Sequence, residues 1–247
     1  MSDPVSLQHV SDVLLITLDC PGVRNAVNQR MAEAIIHAVD VGQRSKAIVL
    51  TGRDPSFCAG LNLRDLGVGE LSRLPRFVDA VAESSVPIIA AVNGPAITAG
   101  LEMALACDFI IASDRASFGY PEVRLGQPTI VGAIRLPRRI AWADAMELLL
   151  TGERVDAARA EAMRLVWKVV EHDQLLVAAN DLARRLCQNA PLAIRATKEV
   201  AHRTRAMPWI EAVRFGETMR KVANQTEDAA EARRAASEGR PPQWRGA

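Results

Sequence analysis

The chain has 247 residues, and 49% of them are hydrophobic, which is enough for one large folded domain or for a domain with a helical extension. Its 30 Lys and Arg residues almost balance its 29 Asp and Glu residues, and the formal net charge is +1. A nearly neutral chain has no overall attraction for nucleic acids or anionic membranes, so neither is expected as a partner.

The cysteines and the N-terminal segment indicate the compartment. The four cysteines are far apart, with no CxxC pair and no histidine at metal-ligand spacing, so we expect reduced thiols and no metal site. They are Cys20, Cys58, Cys107 and Cys187. The apolar run near the N-terminus is interrupted by Asp19 and has no basic stretch before it, which argues against a signal peptide or a membrane span. We therefore expect a cytoplasmic protein.

The first half of the chain alternates between strand and helix patterns, which is typical of an α/β fold. Residues 4–19 predict two strands broken at Ser11 and Asp12, and hence a hairpin. An asparagine cap at Asn28 begins a helix that extends to Val39. Further strands are predicted at residues 47–52, 86–92 and 109–112, and a further helix at residues 98–106.

A predicted turn over residues 118–121 precedes a part of the chain that becomes increasingly helical. From Thr129 onward the sequence is rich in Ala, Arg, Glu and Leu with few strand signals, and residues 173–239 predict successive helices. We place a boundary near residue 190, with a core over residues 1–190 and a helical region over residues 191–247.

One carboxylate, Glu102, lies in the first turn of an otherwise apolar predicted helix. Burying a lone carboxylate is costly, so Glu102 either pairs with a cation or capping group or has a raised pKa suited to acid/base catalysis. The start of this helix has free backbone N–H groups that suit a developing oxyanion, and Gly100 would let a ligand approach the backbone. The alternative is an ordinary helix start that contains a glycine.

A second carboxylate, Glu122, follows Tyr120-Pro121, which should hold the backbone extended in a tight turn. Alone, a glutamate in a turn is most often only solvated. Two carboxylates from different elements, one protonated and one ionised, are nevertheless a recurrent arrangement for acid/base catalysis. Glu102 and Glu122 are therefore a candidate pair.

Ordered motifs extend over nearly the whole chain. They include Ser56-Phe-Cys-Ala-Gly-Leu-Asn-Leu, Val86-Pro-Ile-Ile-Ala-Ala-Val-Asn-Gly-Pro-Ala, Gly100-Leu-Glu-Met-Ala-Leu-Ala-Cys-Asp-Phe and Phe118-Gly-Tyr-Pro-Glu-Val-Arg-Leu-Gly. In the same order, they resemble the FxAGxDL, PVIAAVNGxA, GCELAxxCDx and FGxPEVxLG motifs of the enoyl-CoA hydratase/isomerase (crotonase) family. Several motifs in the correct order are far more specific than any one of them alone.

The resemblance implies a crotonase-like α/β fold, a spiral of ββα units followed by a helical C-terminal region that takes part in trimers, often paired into hexamers. It makes the backbone N–H groups of Leu61 and Ala99 an oxyanion hole for a thioester carbonyl. It also makes Glu102 and Glu122 the catalytic carboxylates.

The resemblance further implies an acyl-CoA thioester as the substrate, so coenzyme A enters with the substrate and no separate cofactor is expected. Arg24 and Arg64 fall where family members often place basic residues near the phosphates; the alternative is that they are ordinary surface arginines. The adenine is expected along the backbone of residues 57–60. The other predicted substrate-binding residues are Ala59, Gly60, Gly100 and Thr129.

Several positions depart from the family pattern. Thr98-Ala99-Gly100 replaces GGG, so an alanine methyl is expected to narrow the pocket beside the oxyanion donor, and Asn62 replaces the usual Asp. The glycine-rich PGAGGTQRL becomes Pro128-Thr-Ile-Val-Gly-Ala-Ile-Arg-Leu, which leaves a different acyl group or a different reaction as an alternative. Arg164 stands where a glycine is usual, and we interpret this as a local change of turn.

The expected reaction is hydration of a 2-enoyl-CoA, in which one carboxylate accepts a proton while the other donates one. The retention of both glutamates favours it over the alternatives, a double-bond isomerase or another acyl-CoA reaction of the family. A different class, a non-catalytic acyl-CoA-binding or RNA-binding relative, is supported only by the arginine-rich segments 135–139 and 184–185.

Overall fold

The computed structural model describes residues 3–62 and 76–247, and within these ranges the chain forms nine strands and ten α-helices. The strands are β1 (Val5–Val10), β2 (Val13–Leu18), β3 (Ala47–Gly52), β4 (Ile88–Val92), β5 (Ala96–Ile97), β6 (Phe109–Ser113), β7 (Ser117–Gly119), β8 (Arg154–Asp156) and β9 (Lys168–Val170). The helices are α1 (Gln29–Gly42), α2 (Phe77–Ala82), α3 (Ala99–Ala106), α4 (Val131–Arg135), α5 (Trp142–Thr151), α6 (Ala157–Ala162), α7 (Leu175–Cys187), α8 (Pro191–Arg203), α9 (Trp209–Ala223) and α10 (Glu227–Glu238). Arg64, one of the two arginines predicted to bind phosphate, lies outside the described residues.

The predicted N-terminal hairpin and the helix after it are both confirmed. β1 and β2 pair antiparallel up to Val10 and Val13, and the turn between them contains Ser11 with a φ of 53°. α1 begins after Asn28, whose side chain accepts a hydrogen bond from the Met31 N–H at 3.0 Å. This is the asparagine cap that the sequence predicts, because it satisfies a backbone donor that has no acceptor inside the helix.

Six strands form one sheet in the order β1-β2-β3-β4-β6-β9, and every neighbouring pair except β1 and β2 is parallel. Successive residues of a strand point to opposite faces, and in the central strands β3 and β4 every residue is buried, so both faces are covered there. In β3, Ile48 and Leu50 belong to the core that includes α1 and α3, whereas Val49 belongs to a second core with Leu182 of α7. The predicted α/β fold is confirmed.

A second sheet, in the order β5-β7-β8, joins the two segments that carry the candidate carboxylates. β5 runs parallel to β7, with Ala96 opposite Phe118. β5 leads into α3, which contains Glu102, and β7 leads into the turn that contains Glu122. The sequence predicts a turn over residues 118–121, but residues 118 and 119 belong to β7. A strand of three residues is too short for an alternating hydrophobic pattern to be recognised.

Two short strands in the second half also depart from the expectation of few strands there. β9 extends the main sheet beside β6, with Val169 opposite Ala112, and β8 pairs antiparallel with β7. Each has three residues, too few for an alternating pattern to be recognised. Arg164, between them, has a φ of 62°, a left-handed conformation that explains why a glycine is usual at this position.

The C-terminal helices differ from the rest of the chain in how little they bury. α9 buries no side chain and leaves Trp209 79% exposed and Ile210 60% exposed. Exposed apolar patches of this kind commonly mark protein interfaces. Trimer formation stays a prediction, as does the boundary near residue 190, although α8 begins at Pro191. None of the helices in the described ranges is long and apolar enough to cross a membrane.

Candidate active site

Two segments run side by side in the site: residues 58–61 of the loop after β3, and residues 96–100, which begin with β5. We call these two segments the frame of the site. Cys58 and Ala96 pair in parallel, and the Ile97 N–H donates to the Cys58 carbonyl at 3.0 Å. On the other side of the loop, the Val27 N–H donates to the Gly60 carbonyl at 2.8 Å. Main-chain hydrogen bonds on both sides therefore fix the position of this loop.

Two glycines allow the two segments to touch. A Cβ on Gly60 would lie 1.9 Å from Thr98 Oγ1, and a Cβ on Gly100 would lie 2.3 Å from the Cys58 carbonyl oxygen. Both distances are far below van der Waals contact, so neither position accepts a side chain without a shift of its neighbour. The sequence predicts that Gly100 lets a ligand approach the backbone, but in the structure the space beside its α-carbon is occupied by Cys58. Gly100 therefore sets the spacing between the two segments.

The frame leaves two backbone N–H groups without an internal acceptor. The Gly60 carbonyl and the Asn62 N–H both bond to Val27, so the Leu61 N–H between them points away from Val27. Ala99 is the first residue of α3, where an N–H has no acceptor inside the helix. Within the described ranges neither N–H makes a hydrogen bond. These are the two predicted oxyanion donors, and they lie on segments in direct contact.

Thr98 is held in an unusual conformation immediately before one of these donors. Its φ is 50° and its ψ is −119°, a region that favours glycine and is rare for a β-branched residue. The Thr98 N–H donates to the Gly119 carbonyl at 3.1 Å, which ties this residue to β7. The replacement of the family's first glycine by threonine therefore places backbone strain next to the Ala99 donor.

Glu102 lies in the first turn of α3, as predicted, and is partly buried. Its Oε1 accepts a hydrogen bond from the Gly132 N–H at 2.9 Å and lies 3.5 Å from the Thr129 hydroxyl. Burial raises the pKa of this carboxyl; the Gly132 hydrogen bond opposes the rise and the charge of Glu122 adds to it. Glu102 is thus held by backbone rather than paired with a cation.

Glu122 lies in a short 3-10 turn, Pro121–Leu125, which closes with a hydrogen bond from the Gln127 N–H to the Glu122 carbonyl at 3.0 Å. Burial raises the pKa of its carboxyl, and hydrogen bonds from its own N–H and from the Thr129 hydroxyl oppose the rise. A hydroxyl has one proton, so Thr129 serves Glu122 or Glu102 but not both at once. Glu122 Oε2 is buried and has no hydrogen-bond partner in the part of the chain that the structure describes.

The two carboxylates form an electrically coupled pair. Each has a raised pKa, and the charge on Glu122 makes ionisation of Glu102 more costly. In such a site a carboxyl stays protonated to a higher pH than the carboxyl of an isolated glutamate would. One protonated and one ionised carboxylate in one site is the arrangement that simultaneous proton donation and acceptance requires.

A cavity of about 220 Å³ lies on the other side of the loop residue Ala59 and is lined by Arg24 and Arg154. The Ala59 N–H donates to the Arg24 carbonyl at 3.1 Å. Both arginines are exposed, and within the described ranges neither is paired with a carboxylate. Guanidinium groups in this state suit a phosphate, which they bind with two parallel hydrogen bonds.

The structure thus divides the predicted site residues into three groups. Glu102, Glu122 and Thr129 form the carboxylate cluster, and Arg24 and Ala59 line the basic cavity. The remaining predicted residues within the described ranges belong to the frame: Gly60, Leu61, Ala99 and Gly100.

Three residues of the site were not singled out from the sequence: Tyr120, Gly132 and Arg154. Tyr120 and Gly132 lie inside the motifs quoted above, but the Gly132–Glu102 hydrogen bond and the packing of Tyr120 on Gly132 depend on how the segment after β7 folds. The sequence does carry a signal for Gly132, because it is a glycine within residues 128–136, the segment that departs from the family's glycine-rich pattern. Arg154 lies in β8, a strand that the sequence did not predict.

Comparisons with known proteins agree with the motifs. The family described as Enoyl-CoA hydratase/isomerase matches residues 8–247. A Salmonella arizonae protein named carnitinyl-CoA dehydratase is 37% identical to this chain, and the alignment covers 100% of both chains. A protein of the same name from Citrobacter koseri is 36% identical, again over 100% of both chains.

Solved structures show the same fold. An enoyl-CoA hydratase from Bacillus anthracis superposes with a TM-score of 0.93 at 28% identity, over 99% of this chain and 100% of that chain. An enoyl-CoA hydratase from Mycobacterium tuberculosis superposes with a TM-score of 0.88 at 33% identity, over 100% of both chains. The predicted crotonase-like α/β fold is therefore confirmed.

Proposed function

Because the chain belongs to the enoyl-CoA hydratase/isomerase family, we propose that it adds water across the C2–C3 double bond of a 2-enoyl-CoA thioester. In the reverse direction it would dehydrate a 3-hydroxyacyl-CoA. One observation carries the proposal: two carboxylates with raised pKa values, Glu102 and Glu122, lie beside a frame that leaves two backbone N–H groups without acceptors.

In this proposal the thioester oxygen accepts hydrogen bonds from the N–H groups of Leu61 and Ala99. Attack of water on C3 moves negative charge onto that oxygen, and a preorganised donor of this kind typically contributes roughly 3 to 4 kcal/mol to the transition state. The hydrogen bonds and glycine contacts of the frame support this role, because they hold the donors in place before the substrate binds.

The carboxylate pair then supplies the proton transfers. The ionised carboxylate accepts a proton from the attacking water, and the hydroxyl group bonds to C3. The protonated carboxylate gives its proton to C2, so the net charge of the pair is unchanged after one turnover. Dehydration follows the same path in reverse, with each glutamate in the opposite role.

The coenzyme A portion is assigned to the basic cavity beside Ala59. Arg24 and Arg154 line this cavity and would bind the phosphates, while the adenine would lie along the loop backbone. The arrangement supports a substrate that carries phosphate at one end and a thioester at the other. Arg154 thereby joins Arg24 as a proposed phosphate ligand.

The test is an isotope experiment on the wild-type protein with crotonyl-CoA and longer 2-enoyl-CoAs in a mixture of D₂O and H₂¹⁸O. Hydration places ¹⁸O on C3 and one deuterium on C2 of a 3-hydroxyacyl product. Carnitinyl-CoA, named for the relatives, is the matched substrate for the dehydration direction. A product with a displaced double bond and deuterium but no ¹⁸O would instead identify an isomerase.

A further inference from the structure

Tyr120 combines complete burial with a hydroxyl that has no partner. Its side chain is 0% exposed, and within residues 3–62 and 76–247 its Oη makes no hydrogen bond. Burying a hydroxyl without a partner is unfavourable, and a phenylalanine of nearly the same shape would avoid that cost. A group of this kind in a native protein calls for an explanation, and a catalytic role is one of the recognised ones.

The tyrosine ring packs against Gly132, the residue whose N–H holds Glu102. A Cβ on Gly132 would lie 2.5 Å from both Tyr120 Cε1 and Cζ, and 2.9 Å from Thr129 Oγ1. The Gly132 N–H is the donor that holds Glu102. The hydroxyl-bearing end of the ring therefore packs on the same residue that positions one of the two catalytic carboxylates.

The site also contains an acceptor that lacks a donor. Glu122 Oε2 is buried without a partner in the described part of the chain, two residues after Tyr120. The hydroxyl of Tyr120 is a donor, and Glu122 Oε2 is an acceptor, so the two unpartnered atoms are chemically complementary. Neither is bonded in the resting arrangement, so a hydrogen bond between them requires a side chain to move during turnover.

We propose that Tyr120 is a positioning residue whose buried hydroxyl donates a hydrogen bond to the ionised carboxylate of the pair in the enzyme–substrate complex. This inference rests on the proposed function. The hydroxyl has no competing acceptor in the described residues, so it is available to either carboxylate as charge moves from one to the other. The hydrogen bond would stabilise the ionised form and keep a single proton on the pair.

The charges around Tyr120 agree with this role. Glu102 from α3 and Glu122 from the 3-10 turn face the hydroxyl, and Arg135 from α4 acts on it with the opposite sign. Burial is the largest cause of the raised pKa of Tyr120, and the two carboxylates add to it. The hydroxyl therefore stays protonated, which is the state in which it donates.

The test compares wild type with Tyr120→Phe in the pH dependence of hydration. The acid limb of kcat should move up by about one pH unit and kcat should fall about tenfold, because the ionised carboxylate in the complex loses a charge-assisted hydrogen bond. The acid limb of kcat/KM reports the free enzyme, where the hydroxyl is unpartnered, and it should not move. The melting temperature should not fall, because the substitution removes a hydroxyl that has no partner.

Thr51→Val is the matched control, because its buried hydroxyl does have a partner, the Ala91 carbonyl at 2.8 Å. It should lower the melting temperature and leave the pH dependence unchanged. An unchanged kcat profile in Tyr120→Phe would overturn the inference. So would a lower melting temperature with a raised KM and no shift of the profile, which would indicate a structural role.

A second measurement separates this inference from the proposed function. If the wild type hydrates no 2-enoyl-CoA, the proposed function fails, but the carboxylates still titrate. Infrared difference spectra in the presence of butyryl-CoA then report the carboxylate pKa values directly. Higher values in Tyr120→Phe than in wild type would support the inference, and equal values would overturn it.

Discussion

The two halves of the site are built in different ways. The oxyanion frame, residues 58–61 and 96–100, is tied by backbone hydrogen bonds, and its glycines are pressed against backbone atoms or a threonine side chain. The carboxylate turn, residues 120–132, follows β7 and includes a long exposed stretch in which Leu125 is 66% exposed and Ile130 is 63% exposed. Its contacts with Glu102 come from one backbone N–H and one hydroxyl.

This difference matches the chemistry proposed for each half. An oxyanion hole works best when its donors do not reorganise, and backbone held by its neighbours meets that requirement. A carboxylate pair must exchange a proton and adjust its hydrogen bonds, and side chains in a turn allow such adjustment. We therefore expect the frame to tolerate less change than the turn.

Among the changes that compare the frame with the turn, the largest effect is expected for Gly100→Ala. The added methyl would meet the Cys58 carbonyl oxygen at 2.3 Å, and because that atom is backbone, the two segments must separate. A displacement of the Ala99 donor by about 1 Å should lower kcat about 100-fold. Steady-state hydration kinetics measure it, with Gly22→Ala as the control, since its methyl meets nothing within 4 Å. Equal activities of the two variants would contradict the expected rigidity.

A smaller effect is expected for Gly132→Ala in the turn. The added methyl would meet the Tyr120 ring at 2.5 Å and Thr129 Oγ1 at 2.9 Å, but both are side-chain atoms that have some freedom to move. We expect a loss of about tenfold in kcat, because the N–H that holds Glu102 shifts only slightly. A loss as large as that of Gly100→Ala would show that the turn is as rigid as the frame.

The raised pKa of Glu102 predicts a pH-dependent effect on stability. The folded chain holds the Glu102 proton more tightly than the unfolded chain, so stability falls as the pH rises from about the ordinary value of 4.5 through the raised pKa. Gln cannot ionise, and Glu102→Gln should therefore melt at a higher temperature than wild type at neutral pH. The difference should narrow as the pH is lowered towards 4.5, and calorimetry across this range measures it.

Glu217→Gln is the control for this experiment, because the pKa of Glu217 is shifted in the opposite direction to that of Glu102. Glu217 is exposed on α9, and its hydrogen bond with Arg220 lowers its pKa. The Gln variant should be no more stable than wild type at neutral pH. If the difference in melting temperature between Glu102→Gln and wild type does not change with pH, the assigned direction of the Glu102 pKa shift is contradicted.

The smallest effect is expected for Thr98→Gly. Thr98 has a φ of 50°, and glycine adopts this backbone conformation without steric strain. Relief of the strain, reduced by the entropy cost of glycine, should stabilise the folded chain by about 1 kcal/mol, or about 2 to 4 °C in melting temperature. A decrease would show that contacts of the threonine side chain outweigh the strain.

Local patterns predicted much of the fold and part of the site. The hairpin, the cap at Asn28 and the position of Glu102 in the first turn of a helix depend on neighbouring residues, and all are confirmed. The family motifs directed attention to Glu122 and Thr129, which the structure places beside Glu102.

The rest depends on contacts between distant segments. Strands of three residues, such as β8 and β9, carry no recognisable period, and Arg154 was missed with β8. The neighbour of Gly100 is Cys58, more than forty residues earlier, so its packing role is invisible in the sequence. For the same reason, the isolation of the Tyr120 hydroxyl becomes visible only in the folded chain.

The central claim is that Glu102 and Glu122 act as one acid/base pair, and a double-mutant comparison tests it most directly. kcat for hydration of crotonyl-CoA is measured for wild type, Glu102→Gln, Glu122→Gln and the double variant. We predict that each single change lowers kcat by about 10² to 10⁴ and that the double variant is little worse than the more damaging single one. Full activity in either single variant, or losses that multiply in the double variant, would contradict the claim.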